Sequence, residues 1–131
     1  MKLLLLSTAN VFEKRVFLRA DLDVPLSEIR SRKSEVRIED DTRLKAALPT
    51  IEYLLKQNCK VIIGGHLGRP TGLNHELRIK NYELSLRPVA KWFTKKLNRD
   101  SSFIIHDSKL GGVDGWEIGP NLFLLENLRF Y

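Results

Sequence analysis

Seven polar side chains stand directly after strand-like segments of this sequence and could bind and orient a small charged ligand. They are Asp21 and Asp23 after the first segment, His66 and Arg69 after the second, and Glu126, Asn127 and Arg129 after the last. Ligands of open parallel sheets bind beyond the carboxyl ends of the strands, so we expect these side chains to meet at one edge. Arginine suits phosphate and carboxylate because its planar guanidinium donates two parallel hydrogen bonds. The pattern predicts a site for a small phosphorylated or carboxylated anion.

Arg43 joins this group because of its place in a predicted helix. It stands in the first turn, where the helix dipole disfavours a cation by about 0.3–1 kcal/mol. A positive charge there is tolerable when it serves an anion bound near that end of the helix. We therefore include Arg43 in the predicted site.

Each of these residues also has an ordinary structural explanation. Asp21 could cap a turn or pair with a neighbouring arginine, His66 could simply end a strand, and Arg69 could be a loop residue. Such explanations do not predict that four separate segments converge on one sheet edge. The combined pattern favours a binding site.

Several motifs that would indicate other chemistry are missing from the sequence. It contains no Gly-x-x-x-x-Gly-Lys-Ser/Thr loop, no Gly-x-Gly-x-x-Gly and no Gly-x-Ser-x-Gly elbow. The three histidines are scattered, without His-x-x-x-His spacing, and Cys59 is the only cysteine. We therefore expect this segment to hold neither a nucleotide cofactor nor a metal ion.

Composition is typical of one globular domain: 131 residues, of which 43% are hydrophobic and 29% charged. No apolar run approaches the roughly 20 residues of a membrane-spanning helix. Leu3–Leu6 is shorter than the core of about 7–15 residues that a signal peptide needs. We expect no membrane partner and a cytoplasmic location, or a plastid one where a targeting segment has been removed.

The net charge of +6 favours anionic partners. Two basic clusters stand out, one of Arg30, Arg32, Lys33 and Arg37, the other of Lys91, Lys95, Lys96 and Arg99. The first has no aromatic residue and the second has only Trp92 and Phe93 among its lysines, which falls short of the repeated interleaving of a single-strand binding platform. We expect no nucleic-acid partner, although a basic nucleic-acid-associated domain stays open as an alternative.

Hydrophobic periodicity predicts strands and helices that alternate along the chain. The predicted strands cover residues 15–20, 60–65, 103–106 and 122–125, helices begin near Asp41 and Ser85, loops occupy 27–39 and 67–84, and turns surround Trp116. Pro49 predicts a kink in the first helix or two abutting helical pieces. This order indicates an α/β domain, a Rossmann-like and largely parallel sheet flanked by helices.

Five ordered motifs make the sequence resemble the phosphoglycerate kinase family over nearly its whole length. They are residues 15–25, ending in Asp-Leu-Asp-Val-Pro; residues 41–51, with an internal proline; Gly-His-Leu-Gly-Arg-Pro at 65–70; residues 84–90; and Leu-Leu-Glu-Asn-Leu-Arg-Phe-Tyr at 124–131. Their number and order make chance similarity negligible.

The resemblance implies a reaction, and it implies that the two substrates bind to two different domains. The family transfers a phosphoryl group between 1,3-bisphosphoglycerate and ADP, giving 3-phosphoglycerate and ATP in glycolysis. Residues 1–131 would be part of its N-terminal, phosphoglycerate-binding domain. Mg-ATP or Mg-ADP would bind to a C-terminal domain absent from this sequence, so this chain alone would be inactive. The family also implies a monomer.

The resemblance assigns substrate binding to Asp21, Asp23, Arg43, His66, Arg69 and Arg129. Asp21 would contact the hydroxyl region of the substrate, while His66, Arg69 and Arg129 would bind its phosphate. Arg43 would be catalytic, because it would stabilise the charge of the phosphoryl group in transfer.

Four departures from the family pattern keep a second possibility open. Asp23 replaces the usual asparagine, Gly65 replaces a serine, residues 111–121 are too glycine-rich for the family's small helix, and the sequence stops at Tyr131. The stop after an apolar strand suggests a piece of a larger protein. The alternative is a kinase-derived binding or regulatory protein that has lost catalysis.

Overall fold

The computed structural model contains both strands and helices and describes residues 5–29, 32–68, 84–104 and 112–130. In chain order the elements are β1 (Arg15–Arg19), β2 (Leu26–Ile29), β3 (Arg32–Ile38), α1 (Thr42–Lys56), β4 (Lys60–Gly64), α2 (Arg87–Lys96), β5 (Ser101–Ile104), β6 (Gly115–Ile118) and β7 (Leu122–Leu125). Short 3-10 turns occur at Leu6–Thr8 and Leu128–Phe130. The predicted α/β class is confirmed.

Five strands form one sheet in the order β1-β4-β7-β6-β5. β1, β4 and β7 pair in parallel, whereas β6 is antiparallel to both β7 and β5. The sheet is therefore mixed. Turns lie on both sides of Trp116, at Gly112 and at residues 120–121, but Gly115 and Trp116 themselves belong to β6, a strand that the sequence did not predict. The carboxyl ends of β1, β4 and β7 share one edge, as predicted for a binding site.

The core lies between this sheet and the two helices. Val61 and Ile63 of β4 alternate with the half-buried Ile62, and their register partners in β7 are Leu122 and Leu124. These four side chains are fully buried. They form one cluster with the buried faces of the helices, to which α1 contributes Leu44, Ile51 and Leu54 and α2 contributes Val89, Ala90 and Phe93.

α1 runs without a break through Pro49. Proline removes one backbone donor, but the apolar face on both sides of it is buried, so packing keeps the helix continuous. The alternative of two abutting helical pieces is therefore wrong. In the described part of the chain, neither helix is long and apolar enough to cross a membrane.

Residues 27–39 are not the predicted loop, because β2 and β3 form an antiparallel hairpin there. Leu26 pairs with Ile38 and Ser27 with Arg37. The pattern is hard to detect because β3 is rich in charged residues and its stability depends on cross-strand pairing. Leu26 and Val36 of the hairpin line a cavity together with Asp23, so the hairpin borders the edge of the main sheet where the predicted site residues lie.

Candidate functional site

Arg43 and Asp21 meet at the carboxyl end of β1. Nε of Arg43 lies 3.5 Å from Oδ2 of Asp21, and Nη1 lies 3.5 Å from Oδ1. The same Nη1 donates to the backbone carbonyl of Asp23 at 2.5 Å. The first turn of α1 therefore places its guanidinium beside the end of β1, as the sequence predicts. The Arg43 side chain is 55% exposed, so its guanidinium is also accessible to solvent at this edge of the sheet.

Asp23 connects the end of β1 to the segment after β4. Its Oδ1 accepts a hydrogen bond from the backbone N–H of Gly68 at 3.1 Å, while its own N–H donates to Oδ1 of Asp21 at 3.3 Å. Gly68 has a φ of +61°, and a Cβ there would lie 2.8 Å from the Leu84 side chain. This backbone conformation favours glycine where Asp23 binds the backbone.

Arg129 binds the same residue through its carbonyl. It is exposed in the turn after β7, and its Nη1 donates to the carbonyl of Gly68 at 3.0 Å. Gly68 thus receives Arg129 on its C=O and offers its N–H to Asp23. The structure brings together Asp21, Asp23, Arg43 and Arg129, which come from three separate segments.

His66 follows the end of β4 and is half-buried. It is held at this edge because the carbonyl of Gly65 accepts the N–H of Leu128 at 3.0 Å. Gly65 itself is crowded: a Cβ there would lie 2.7 Å from the carbonyl oxygen of Ala20. That crowding favours glycine at this position. Arg69 lies outside the residues that the structure describes.

Glu126 and Asn127 differ from the other predicted edge residues because they face inward. Glu126 is 6% exposed and Asn127 is fully buried. Glu126 accepts hydrogen bonds from the Ser85 hydroxyl and the Leu86 N–H, at 2.7 and 2.8 Å. Sequence reasoning placed both residues at the right edge, but residue type alone does not show which way a side chain points.

Two cavities meet at Asp23. One, of about 380 Å³, is polar and is lined by Asp23, Val24, Pro25, Asp40 and Arg43. The other, of about 340 Å³, has mainly apolar walls supplied by β2, β3, Leu67 and Leu84. Both volumes lie at the lower end of the range for small-molecule sites. The polar cavity has the Arg43 guanidinium on one wall and the carboxylates of Asp23 and Asp40 on the others, so Arg43 is the cationic group that an anion there would meet.

Two carboxylates precede α1 and shape the charge beside this cavity. The hydroxyl and N–H of Thr42 donate to Oδ1 of Asp40, at 2.6 and 2.9 Å, and these bonds lower the pKa of Asp40. Burial raises the pKa of Asp41, but hydrogen bonds from the Trp92 indole and from Lys45 outweigh it and leave that pKa lowered. Among the described residues, no group of three His, Cys, Asp or Glu side chains could hold a metal ion.

Comparison with known proteins identifies the family. A family model described as "Phosphoglycerate kinase" matches residues 6–131. Phosphoglycerate kinase from Borrelia turicatae is 44% identical over 121 residues, which cover 90% of this chain and 27% of the relative. Phosphoglycerate kinase from Geotalea uraniireducens is 38% identical over 126 residues, covering 94% of this chain and 28% of the relative.

A solved structure agrees with the sequence matches. Phosphoglycerate kinase from Coxiella burnetii superposes with a TM-score of 0.69 and 36% identity, over 95% of this chain and 28% of the solved chain. The chain therefore spans a little more than a quarter of the length of the relatives it matches. The mixed sheet, its flanking helices and these matches together show that this chain belongs to the phosphoglycerate kinase family.

Proposed function

We propose that this chain forms the 3-phosphoglycerate-binding side of a phosphoglycerate kinase. The observation that carries the proposal is the convergence of Arg43, Arg129 and Asp23 on one sheet edge, beside a polar cavity. Two guanidinium groups suit a ligand that has a phosphate at one end and a carboxylate at the other. The three residues belong to segments that are distant in the sequence and meet only in the folded chain.

The proposed roles follow from the chemistry of each group. Arg129 binds the phosphate of the substrate together with His66 and Arg69. Asp21 accepts a hydrogen bond from the substrate hydroxyl while it orients the Arg43 guanidinium. Asp23 borders the ligand and holds the Gly68 backbone.

Arg43 is the proposed catalytic residue. Phosphoryl transfer depends on positioning and on neutralising charge at the transferring group. A guanidinium oriented before the reaction stabilises that charge without having to reorganise. The contacts of Arg43 with Asp21 and with the Asp23 carbonyl supply this orientation.

The nucleotide side of the reaction belongs to the rest of the proposed enzyme. Mg-ATP or Mg-ADP would be held by a C-terminal domain, and the chain of 131 residues would bind 3-phosphoglycerate weakly without catalysing transfer. We propose that the whole enzyme is a cytoplasmic monomer acting in glycolysis. Formation of ATP from 1,3-bisphosphoglycerate and ADP by the purified chain would contradict the proposed inactivity of this segment.

The proposal is tested by measuring the affinity of four single variants for 3-phosphoglycerate and for duplex DNA at two salt concentrations. Arg69→Ala and Arg129→Ala should each weaken 3-phosphoglycerate binding roughly ten- to a hundredfold, because a charge-assisted hydrogen bond is lost. Lys91→Ala and Lys95→Ala are the matched controls: both lysines are exposed on α2, and their charges are screened within about 8–10 Å. Their removal should change the affinity by less than twofold.

The same variants separate a metabolite site from a general basic surface. A nucleic-acid binder would lose duplex-DNA affinity with each lysine removed and with rising salt. Equal losses at lysines and arginines, with strong DNA binding, would contradict the proposal.

A further inference from the structure

The side-chain amide of Asn127 is fully buried and makes hydrogen bonds through both of its polar atoms. Nδ2 donates to the carbonyls of Leu67 and Leu84, at 2.7 and 2.9 Å. Oδ1 accepts the backbone N–H of Arg129 at 3.1 Å. A buried amide with every bond satisfied has one stable orientation, because any rotation would leave polar groups unpaired.

These bonds reach Arg129 from two directions. Oδ1 of Asn127 holds the backbone of Arg129 directly. Nδ2 holds the carbonyl of Leu67, which immediately precedes Gly68, and Gly68 in turn accepts Nη1 of Arg129. Asn127 therefore holds the backbone N–H of Arg129, and it also holds the residue that precedes Gly68, whose carbonyl accepts the guanidinium.

Glu126 has a different set of partners. Its carboxylate accepts from Ser85, from Leu86 and from the N–H of Asn127, and none of these bonds involves Gly68 or Arg129. Both residues therefore hold the segment that leads into α2, Glu126 at Ser85 and Leu86 and Asn127 at Leu84. Of the two side chains, Asn127 is the one that also bonds to Arg129.

We propose that Asn127 is a positioning residue for Arg129: it holds the guanidinium in the orientation in which it meets the ligand. The identity of that ligand rests on the proposed function, but the orientation itself does not. Asn127 does not contact the substrate in this proposal, since its side chain is fully buried. Its influence on binding passes through Arg129.

The first experiment measures the order of Arg129 without any ligand. Asn127→Asp keeps the shape and an acceptor for the Arg129 N–H, but it turns a carboxylate oxygen toward two carbonyls that it repels. The nitrogen-15 heteronuclear NOE of Arg129 Nε should then fall to the value of a freely moving side chain. Arg43 is the internal control because Asp21 and Asp23 hold it independently, so its NOE should stay unchanged.

A matched variant controls for the added charge. Asn121→Asp makes the same substitution at an exposed position just before β7, and it should leave the Arg129 signal unaltered. Asn127→Ser, which is too short to reach both carbonyls, should act like Asn127→Asp and serves if the latter does not fold. In the unsubstituted chain, the Nδ2 protons of Asn127 should exchange slowly with solvent. Rapid exchange there, or an unchanged Arg129 signal in a folded Asn127 variant, would overturn the proposal.

The second experiment is a double-mutant cycle with 3-phosphoglycerate as the probe. Asn127→Asp and Arg129→Ala should each weaken binding roughly tenfold or more. The double variant should bind 3-phosphoglycerate no more than about threefold more weakly than Arg129→Ala alone. Both substitutions remove the same interaction, the one between Arg129 and the ligand. Losses that multiply would show that Asn127 acts independently of Arg129 and would refute the positioning role.

The two experiments distinguish the positioning role from the proposed function. If the unsubstituted chain binds no 3-phosphoglycerate, the proposed function fails, while the NOE and exchange measurements still decide whether Asn127 orients Arg129. If the chain binds 3-phosphoglycerate but Arg129 keeps its order in the Asn127 variants, the positioning role alone is refuted.

Discussion

Arg43 presents two nitrogens to the two carboxylate oxygens of Asp21, each at 3.5 Å, across a separation of 22 residues in the sequence. Both side chains are more than half exposed, at 55% and 61%. An exposed ion pair contributes only about 0–1 kcal/mol to stability. The value of this contact therefore lies in the direction that it gives the guanidinium, which borders the polar cavity.

Arg43→Ala should separate catalysis from binding. In a complete phosphoglycerate kinase that contains this segment, kcat should fall roughly a hundred- to a thousandfold, because the lost charge acts mainly in the transition state. The dissociation constant of 3-phosphoglycerate should rise by a smaller factor, roughly three- to tenfold, because Arg43 also contributes to binding the ligand. Lys45→Ala, also in the first turns of α1, removes an exposed partner of Asp41 and is the control. A loss in affinity as large as the loss in kcat would contradict the proposed role.

Asp23→Asn should tighten 3-phosphoglycerate binding about three- to tenfold. Like charges about 4 Å apart repel by roughly 4 kcal/mol at an effective dielectric of 20, before solvent screening and relaxation reduce the effect. The amide oxygen of asparagine can still accept the Gly68 N–H, so the local structure is kept. Asp23→Ala loses that acceptor as well and should not tighten binding. Calorimetry measures the comparison, and unchanged or weaker affinity in Asp23→Asn would mean that the carboxylate does not face the ligand.

Gly65→Ala should lower the free energy of unfolding by about 1–3 kcal/mol, because a side chain there overpacks the site. The added Cβ would meet the Ala20 carbonyl at 2.7 Å and the Leu22 side chain at 2.9 Å. Gly112→Ala is the comparison: its φ is +80° but nothing lies within 4 Å of the new Cβ, so only backbone strain of about 1–2 kcal/mol is added. Urea unfolding measures both, and an undiminished stability of Gly65→Ala would disprove the crowding at this position.

Trp92→Phe should raise the pKa of Asp41 toward its usual value, because the indole hydrogen bond at 3.0 Å is lost. A carboxyl whose pKa is lowered on folding adds stability above its unfolded pKa of about 3.9, and that stability disappears as the pH falls through the folded pKa. The variant should therefore lose more stability at pH 7 than at pH 3.

Carboxyl titration by NMR and urea unfolding at both pH values test this expectation. Trp116→Phe, in β6, provides a control for lost aromatic packing and should be destabilised similarly at both pH values. If Trp92→Phe shows no difference between the two pH values, the indole does not govern the ionisation of Asp41.

The elements of the main sheet differed in how well they could be predicted. β4 and β7 consist almost entirely of apolar residues, and α1 and α2 carry apolar residues at helical spacing, so local pattern indicated their type. β6 was missed because glycines surround a short segment, and its extended conformation depends on pairing with β5 and β7. The hairpin of β2 and β3 was missed for a similar reason, since partners across the chain stabilise strands that have little hydrophobic pattern of their own.

The sequence by itself determined which charged residues reach the edge of the sheet. In parallel strands the carboxyl ends coincide, so the order of strands and polar residues was sufficient to group Asp21, Asp23 and Arg129. Only the tertiary structure decided which polar residues face outward. Asn127 points inward because it bonds to the carbonyls of Leu67 and Leu84. These partners lie 60 and 43 residues away in the sequence, so the residues next to Asn127 do not reveal them. The residue type determines which hydrogen bonds a side chain can make, whereas folding determines which groups come close enough to make them.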